Sequence, residues 1–117
     1  MINRIYPAGM VLLLLAGCAN DPIPTEQMRL ADQAIEQASA VGAVSTDASM
    51  QLALSKQQLA QAALLDEQYK EARVLAEQAE LDAREAEARV LASKSSAQLL
   101  EINKRINRMR QQLGSQL

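Results

Sequence analysis

The sequence predicts an all-α protein in which two short helices precede one long C-terminal helix. Strong helix formers such as Ala, Leu, Glu, Gln and Arg dominate its 117 residues, and no proline follows Pro24. Apolar residues recur at intervals of three and four, the period of one helical face. A sheet protein would instead carry regular Gly and Pro turns. We therefore expect an antiparallel helical hairpin or three-helix arrangement with a coiled-coil extension.

The amino-terminal residues 1–17 predict a secretory signal peptide. A positive charge at Arg4 precedes an apolar run over residues 10–16. That run is far shorter than the roughly 20 residues needed to cross a bilayer as a helix. The segment therefore indicates export rather than a membrane-spanning helix.

Small residues precede the single cysteine in the order Leu15-Ala16-Gly17-Cys18. This order resembles the lipobox of bacterial lipoproteins. The resemblance implies a diacylglycerol on the Cys18 thiol, cleavage before Cys18 and an N-acyl chain on its new amino group. The alternatives are an ordinary signal peptide with a cysteine at its cleavage site, or a buried structural cysteine.

Several acyl chains hold a protein on a membrane with little release. In Gram-negative lipoproteins, Asp directly after the lipidated cysteine retains the protein at the inner membrane. Here Ala19 occupies that position. The resemblance therefore implies an outer-membrane protein whose domain faces the periplasm, with its lipid chains as the membrane contact and no other cofactor.

Residues 18–24 predict a short extended tether, because two prolines restrict its backbone. The first helix is predicted over residues 25–41, with Thr25 as its N-cap and Gly42 as a left-handed stop. Its predicted apolar face is Met28, Ala31, Ala34, Ile35, Ala38 and Val41.

The second helix is predicted over residues 48–65, with Asp47 as its N-cap. Residues 66–72 resemble the turn between paired helices in tetratricopeptide repeats, but a single turn does not indicate an array of repeats. The predicted apolar face of this helix is Met50, Leu52, Leu54, Leu59, Ala62, Ala63 and Leu65.

The third helix is predicted over residues 69–113, where Gly114 ends it. At about 1.5 Å per residue it is about 67 Å long, far longer than the first two. A seam of mostly small residues alternates along it at spacings of three and four, which predicts close packing against the first two helices. The seam is Tyr69, Ala72, Ala76, Ala79, Ala83, Ala86, Val90, Ser93, Ala97 and Leu100.

A second series of larger residues begins where this seam ends, in a shifted register. The first two helices are too short to cover both series, and an exposed row of large apolar residues indicates that a partner helix covers it. We therefore expect residues 99–113 to form a coiled coil with another copy or with an envelope protein. The alternative is that the helix bends and packs its end on its own bundle. The series is Leu99, Ile102, Ile106, Met109 and Leu113.

Charge is distributed unevenly along the third helix. Residues 66–87 carry eight carboxylates and three cations, whereas the end of the helix is basic. Solvated helix faces and cations at a helix C-terminus account for this pattern. The alternative is a basic tip that binds an anionic envelope polymer such as peptidoglycan. The tip consists of Lys104, Arg105, Arg108 and Arg110.

Residues that usually carry chemistry are missing from the sequence. It has no histidine, no recognisable nucleophile triad and no phosphate-binding glycine loop. The net charge of −2 is too mild to indicate a nucleic-acid partner. We therefore expect no catalysis and no metal site.

Four Ala-rich segments carry a resemblance to a known family over residues 27–97. They are Leu30-Ala31-Asp32-Gln33-Ala34-Ile35, Gly42-Ala43, Tyr69-Lys70-Glu71-Ala72-Arg73 and Leu75-Ala76-Glu77-Gln78-Ala79. The chain resembles small bacterial lipoproteins with a helical domain of unknown function, sometimes joined to an OmpA-like domain. This resemblance implies an architecture and an envelope location, but no activity.

Braun-type murein lipoproteins are also lipidated helices with heptads. The Lys through which they join peptidoglycan is missing from the end of this sequence, Ser115-Gln116-Leu117. The expected role is therefore that of a structural or adaptor lipoprotein, with non-covalent peptidoglycan binding as the alternative.

Overall fold

The computed structural model describes residues 21–116, which form three helices in up-down-up order. These are α1 (Thr25–Val41), α2 (Ala48–Leu65) and α3 (Tyr69–Gly114). Both short helices pack mainly on α3 and much less on each other. The predicted all-α class, with two short helices and one long helix, is confirmed. The helix bounds lie within one residue of those predicted.

The predictions for the signal segment and for Leu15, Ala16, Gly17 and Cys18 lie outside the described residues. Within residues 21–116, no helix is long and apolar enough to cross a membrane.

Three layers of small side chains form the core between the helices. The first holds Met28, Ala31, Ala60, Ala76 and Ala79. The middle holds Ala34, Ala53 and Ala83, and the last holds Ala38, Ala43, Met50 and Ala86. Alanine removes little area from water per residue, but it lets helix axes approach closely, so that many contacts form along the seam.

The order of these layers fixes the direction of each helix. Met28 and Ala38, which are early and late in α1, meet Ala76 and Ala86 in α3. Helix α1 therefore runs parallel to α3. Helix α2 runs antiparallel, because Met50 lies beside Ala86 and Ala60 lies beside Ala76.

The start of α1 differs slightly from the prediction. Pro24, not Thr25, occupies the N-cap position, and its carbonyl accepts a hydrogen bond from the Met28 amide at 3.0 Å. Proline fixes φ near the helical value, so it suits a helix start. Thr25 is the first helical residue and makes no side-chain cap.

The connection between α1 and α2 follows the prediction at Gly42. This residue has φ 105°, and the amides of Gly42 and Ala43 bond to the last carbonyls of α1 at 3.0 and 2.9 Å. Asp47 occupies the N-cap of α2, but its carboxylate accepts from the Val44 amide at 2.9 Å instead of from a helix amide. Its side chain therefore closes the loop.

The predicted apolar face of α2 is largely wrong. Only Met50 and Ala63 of that face are buried, and Leu54 is half-buried. Leu52, Leu59 and Leu65 are exposed by 50%, 56% and 84%. The side that meets α1 and α3 instead presents mostly smaller or polar residues, and leucines lie at its edges. The smaller or polar residues are Ser49, Ala53, Gln57 and Ala60.

Polar contacts also fasten the helices to one another. The buried Gln57 amide donates to the Asp32 carboxylate at 2.6 Å, which links α2 to α1. Lys56 and Asp82 form an ion pair at 2.6 Å between α2 and α3. Such directional contacts favour one rotation of each helix, which an Ala-rich core alone specifies weakly.

Candidate interaction surface on the long helix

The bundle ends near Lys94, a little past the middle of α3. The Lys94 ammonium donates to the Val41 carbonyl at 2.5 Å, which fastens the end of α1 to α3. Val90 is half-buried against the last core layer. Beyond this point α1 and α2 supply no further cover.

Residues 95–114 of α3 extend past the bundle, and we call them the arm. Every residue of the arm is exposed except Ile106, which is half-buried. Helix α3 continues to Gly114 without a break, so the arm does not fold back on its own bundle. At about 1.5 Å per residue, the arm projects about 30 Å beyond the bundle.

The predicted second series lies on the arm, and we call it the outward stripe. Leu99, Ile102, Met109 and Leu113 are exposed by 61%, 51%, 54% and 66%, and Ile106 completes the row. At about 3.6 residues per turn, the stripe points about 140° away from the buried alanine seam of α3. It therefore faces away from α1 and α2.

The small-residue seam behaves differently in its two halves. Its five alanines from Ala72 to Ala86 are buried, as expected for packing against the short helices. Ser93, Ala97 and Leu100 continue the same spacing but are exposed, because the short helices do not reach them. The seam is thus a packing surface only within the bundle.

A row on the bundle continues the outward stripe, and sequence reasoning missed it. Val74 and Leu81 are exposed by 39% and 66%, and Ala88 is also exposed. These three residues are spaced by seven and share one heptad position with Ile102 and Met109. We call them the upper row. The spacing of seven was available in the sequence, but polar residues separate its members.

The basic tip is partly neutralised within the arm. The Glu101 carboxylate accepts from Arg105 at 3.1 Å and from Arg108 at 3.5 Å. Lys104 and Arg110 form no ion pair with any residue between 21 and 116. The arm therefore keeps a positive surface beside its apolar stripe.

The amino-terminal end of the described chain lies at the opposite end of α3 from the arm. Asp21 lines one surface depression together with Glu67, Tyr69 and Val74. Helix α3 spans 46 residues from there to Gly114. At about 1.5 Å per residue, the tip stands about 70 Å from the amino-terminal end.

No group of three or more His, Cys, Asp or Glu that could hold a metal lies within residues 21–116. Glu26 and Arg29 form an exposed ion pair in the first turns of α1, far from the arm. Hydrogen bonds from Arg29 lower the pKa of the Glu26 carboxyl and raise that of the guanidinium. Both groups are fully exposed, so the pair contributes little to folding.

Residues 26–102 match the family model described as Domain of unknown function (DUF4398). The chain belongs to the DUF4398 family. This match confirms the resemblance to an uncharacterised helical family. It covers α1, α2 and the bundle part of α3, but ends within the outward stripe.

The crystal structure of a DUF4398 family protein from Pseudomonas aeruginosa PAO1 is similar to this chain. The two share 55% identity with a TM-score of 0.79, over 82% of this chain and 100% of that chain. No curated protein is significantly similar.

Proposed function

We propose that this DUF4398 protein is a lipid-anchored structural or adaptor protein of the cell envelope. Lipid chains on Cys18 hold it at the periplasmic face of the outer membrane, and the arm recruits a second copy or an envelope protein. The lipobox order of residues 15–18 supports the anchor. The exposed outward stripe supports the recruitment.

The observation that carries this proposal is the uncovered apolar side of the arm. Soluble monomers rarely expose a contiguous row of large apolar residues, and such rows mark association surfaces. The outward stripe places five such residues at alternating spacings of three and four, the period of a coiled-coil seam. A rigid helix presents this seam without the cost of ordering a flexible segment.

The solution mass of residues 19–117, measured by light scattering, tests self-association. This segment contains all three helices and the whole core described above. We expect an oligomer that becomes a monomer in an Ile102→Asp/Ile106→Asp variant. A Leu52→Asp/Leu59→Asp variant is the matched control, because it makes the same two changes at exposed apolar residues on α2, away from the arm. If the parent is a monomer at every concentration, self-association is wrong, and a different envelope protein remains as the proposed partner of the arm.

The anchor is tested in the full chain by a Cys18→Ser variant. We expect the parent to incorporate labelled palmitate and to sediment with membranes, and the variant to do neither. Since the chain has one cysteine, no other thiol can replace it. Equal membrane recovery of both proteins would contradict the lipid anchor.

Non-covalent binding to peptidoglycan is a second candidate, supported by the uncompensated Lys104 and Arg110. Pull-down on purified sacculi at increasing salt tests it, because contacts between exposed charges weaken as salt rises. Charge reversal of Arg105, Arg108 and Arg110 to Glu should then abolish retention, whereas reversal of Arg84 and Arg89 on the bundle should not. If retention of the protein on sacculi is unchanged by salt and by charge reversal, this candidate is excluded.

A further inference from the structure

On the outward side of α3, one exposed apolar residue per heptad continues from the arm onto the bundle. The upper row, Val74, Leu81 and Ala88, lies at the heptad position that Ile102 and Met109 occupy further on. All five residues are exposed. An association surface limited to the arm would leave the upper row uncovered.

The two halves of this side carry opposite charge. Residues 74–88 hold five carboxylates and one arginine, a net charge of −4. Residues 99–113 hold four cations and one carboxylate, a net charge of +3. Complementary potentials of this kind steer association and fix its register.

Pairing of one arm with an identical arm is disfavoured by the same charges. In a parallel coiled coil, the residue just before an a position (position g) lies beside the partner residue five positions further along (position e). This rule places Arg105 beside Arg110 of the partner subunit. Like charges in facing positions oppose association.

We propose that a second copy of the chain packs antiparallel along the outward side of α3, so that residues 99–113 of each copy cover residues 74–88 of the other. This inference rests on the self-association part of the proposed function. The negative half of each helix then lies along the positive half of its mate.

One register aligns the upper row with large residues of the partner's arm, and the layers between them place Gln78 opposite the partner's Met109 and Glu85 opposite the partner's Ile102. Val74 faces Leu113 of the partner subunit, Leu81 faces Ile106 of the partner subunit, and Ala88 faces Leu99 of the partner subunit. Each pair joins an a position to a d position, as antiparallel coiled coils require. The contact is the same on both copies, so the dimer closes with twofold symmetry.

Neither α1 nor α2 covers the outward side of α3. Helices α1 and α2 cover the alanine seam, which lies about 140° around α3 from the outward stripe. The centre of the proposed contact falls at Ala92 and Ser95, both of which are exposed. Their small side chains allow the two copies of α3 to cross closely at that point.

Engineered cysteines in residues 19–117 test the direction and register, because that segment has no native thiol. One chain carries Ala88→Cys and another carries Leu99→Cys. We expect oxidation to cross-link the two chains when they are mixed and neither chain when it is alone. Mass spectrometry of the linked peptides identifies the pair.

A Leu99→Cys chain that cross-links to itself would overturn the antiparallel register and leave self-association standing. A dimer that gives no cross-link in the mixture would also overturn the register. A parent that is monomeric at every concentration overturns both the register and self-association.

A Leu81→Asp variant supplies an independent test. Leu81 is 66% exposed on the bundle, so its replacement should leave the three-helix fold intact. If the antiparallel register is correct, the dimer dissociation constant should rise by about tenfold or more, as for truncation of a central apolar contact. Leu59→Asp on α2 should leave it unchanged. Equal dissociation constants for Leu81→Asp and the parent would overturn the proposal.

Discussion

The two halves of α3 differ in what they cover: the bundle half buries alanines, and the arm fully buries no residue. In the bundle, the five alanines from Ala72 to Ala86 are buried, whereas Leu81 is 66% exposed. On the arm, alanine and leucine alike are exposed, and the largest apolar residues form the outward stripe. Hydrophobicity alone therefore does not decide which residues of this helix are covered.

Available neighbours decide burial along α3. Where two short helices lie close by, the covered positions are mostly alanines, with Met28 and Met50 in the first and last core layers, and leucines remain at the edges. Of the fourteen buried apolar residues among those described, twelve are alanines and two are methionines. The arm has no neighbouring helix among the described residues, so its large residues stay available for another helix.

The largest expected difference between the two halves of α3 comes from replacing one alanine by leucine in each half. Ala79→Leu should destabilise the fold by about 1–3 kcal/mol, because Ala79 is 0% exposed and has no space for added carbons. Ala97→Leu lies on the same seam spacing but is exposed, so its effect should stay within about 0.5 kcal/mol. Urea denaturation followed by circular dichroism measures both changes. Similar losses of stability would mean that the arm seam is also packed.

Sequence periodicity was sufficient for α1 and for the buried seam of α3. Both show apolar residues at spacings of three and four with few interruptions. It failed for α2, where exposed leucines outweighed Ala53, Gln57 and Ala60 in the prediction. Those residues follow the same spacing as the seam of α3. The prediction placed the largest apolar residues of α2 at its contact with the other helices, although the sequence does not show how closely these helices approach.

The candidate surface was predicted in part. The spacing of the outward stripe is explicit in the sequence, but its direction depends on which side of α3 the short helices cover. The upper row carries one apolar residue per heptad, too sparse to identify without measured exposure. Contacts such as that between Lys94 and the Val41 carbonyl join distant positions and have no local sequence signal.

The next comparison concerns two glycines, one at the end of α1 and one at the end of the arm. Gly42 has φ 105°, so Gly42→Ala should cost about 1–2 kcal/mol through backbone strain. An added Cβ would lie 3.8 Å from the Lys94 ammonium and 4.0 Å from Val90, which is ordinary contact. The cost therefore does not come from crowding.

Gly114→Ala is the matched control for the arm. Apart from the backbone of its own helix and its chain neighbours, nothing in the described chain lies within 4 Å of its added Cβ, and its φ is not positive. The change should leave the midpoint of thermal unfolding unchanged or raise it slightly, because alanine favours helix. If both substitutions lower the stability equally, backbone strain at Gly42 does not account for the loss.

The smallest expected difference concerns two lysines, one at the bundle end and one on the arm. Lys94 donates to the Val41 carbonyl at 2.5 Å, whereas Lys104 makes no such contact with the described chain. Lys94→Ala should cost about 1 kcal/mol or less, because the contact is exposed and water replaces part of it. Lys104→Ala should change stability by less than about 0.5 kcal/mol.

Both lysines lie within α3, and both changes create the same alanine, so helix propensity cancels between them. The difference in unfolding free energy, measured in urea at one protein concentration, therefore isolates the contact to α1. Because α1 ends at Val41, loss of this contact should also speed amide exchange in the last turn of α1. Unchanged exchange there would mean that the core layer around Ala38 and Ala86, and not Lys94, fixes where the bundle stops and the arm begins.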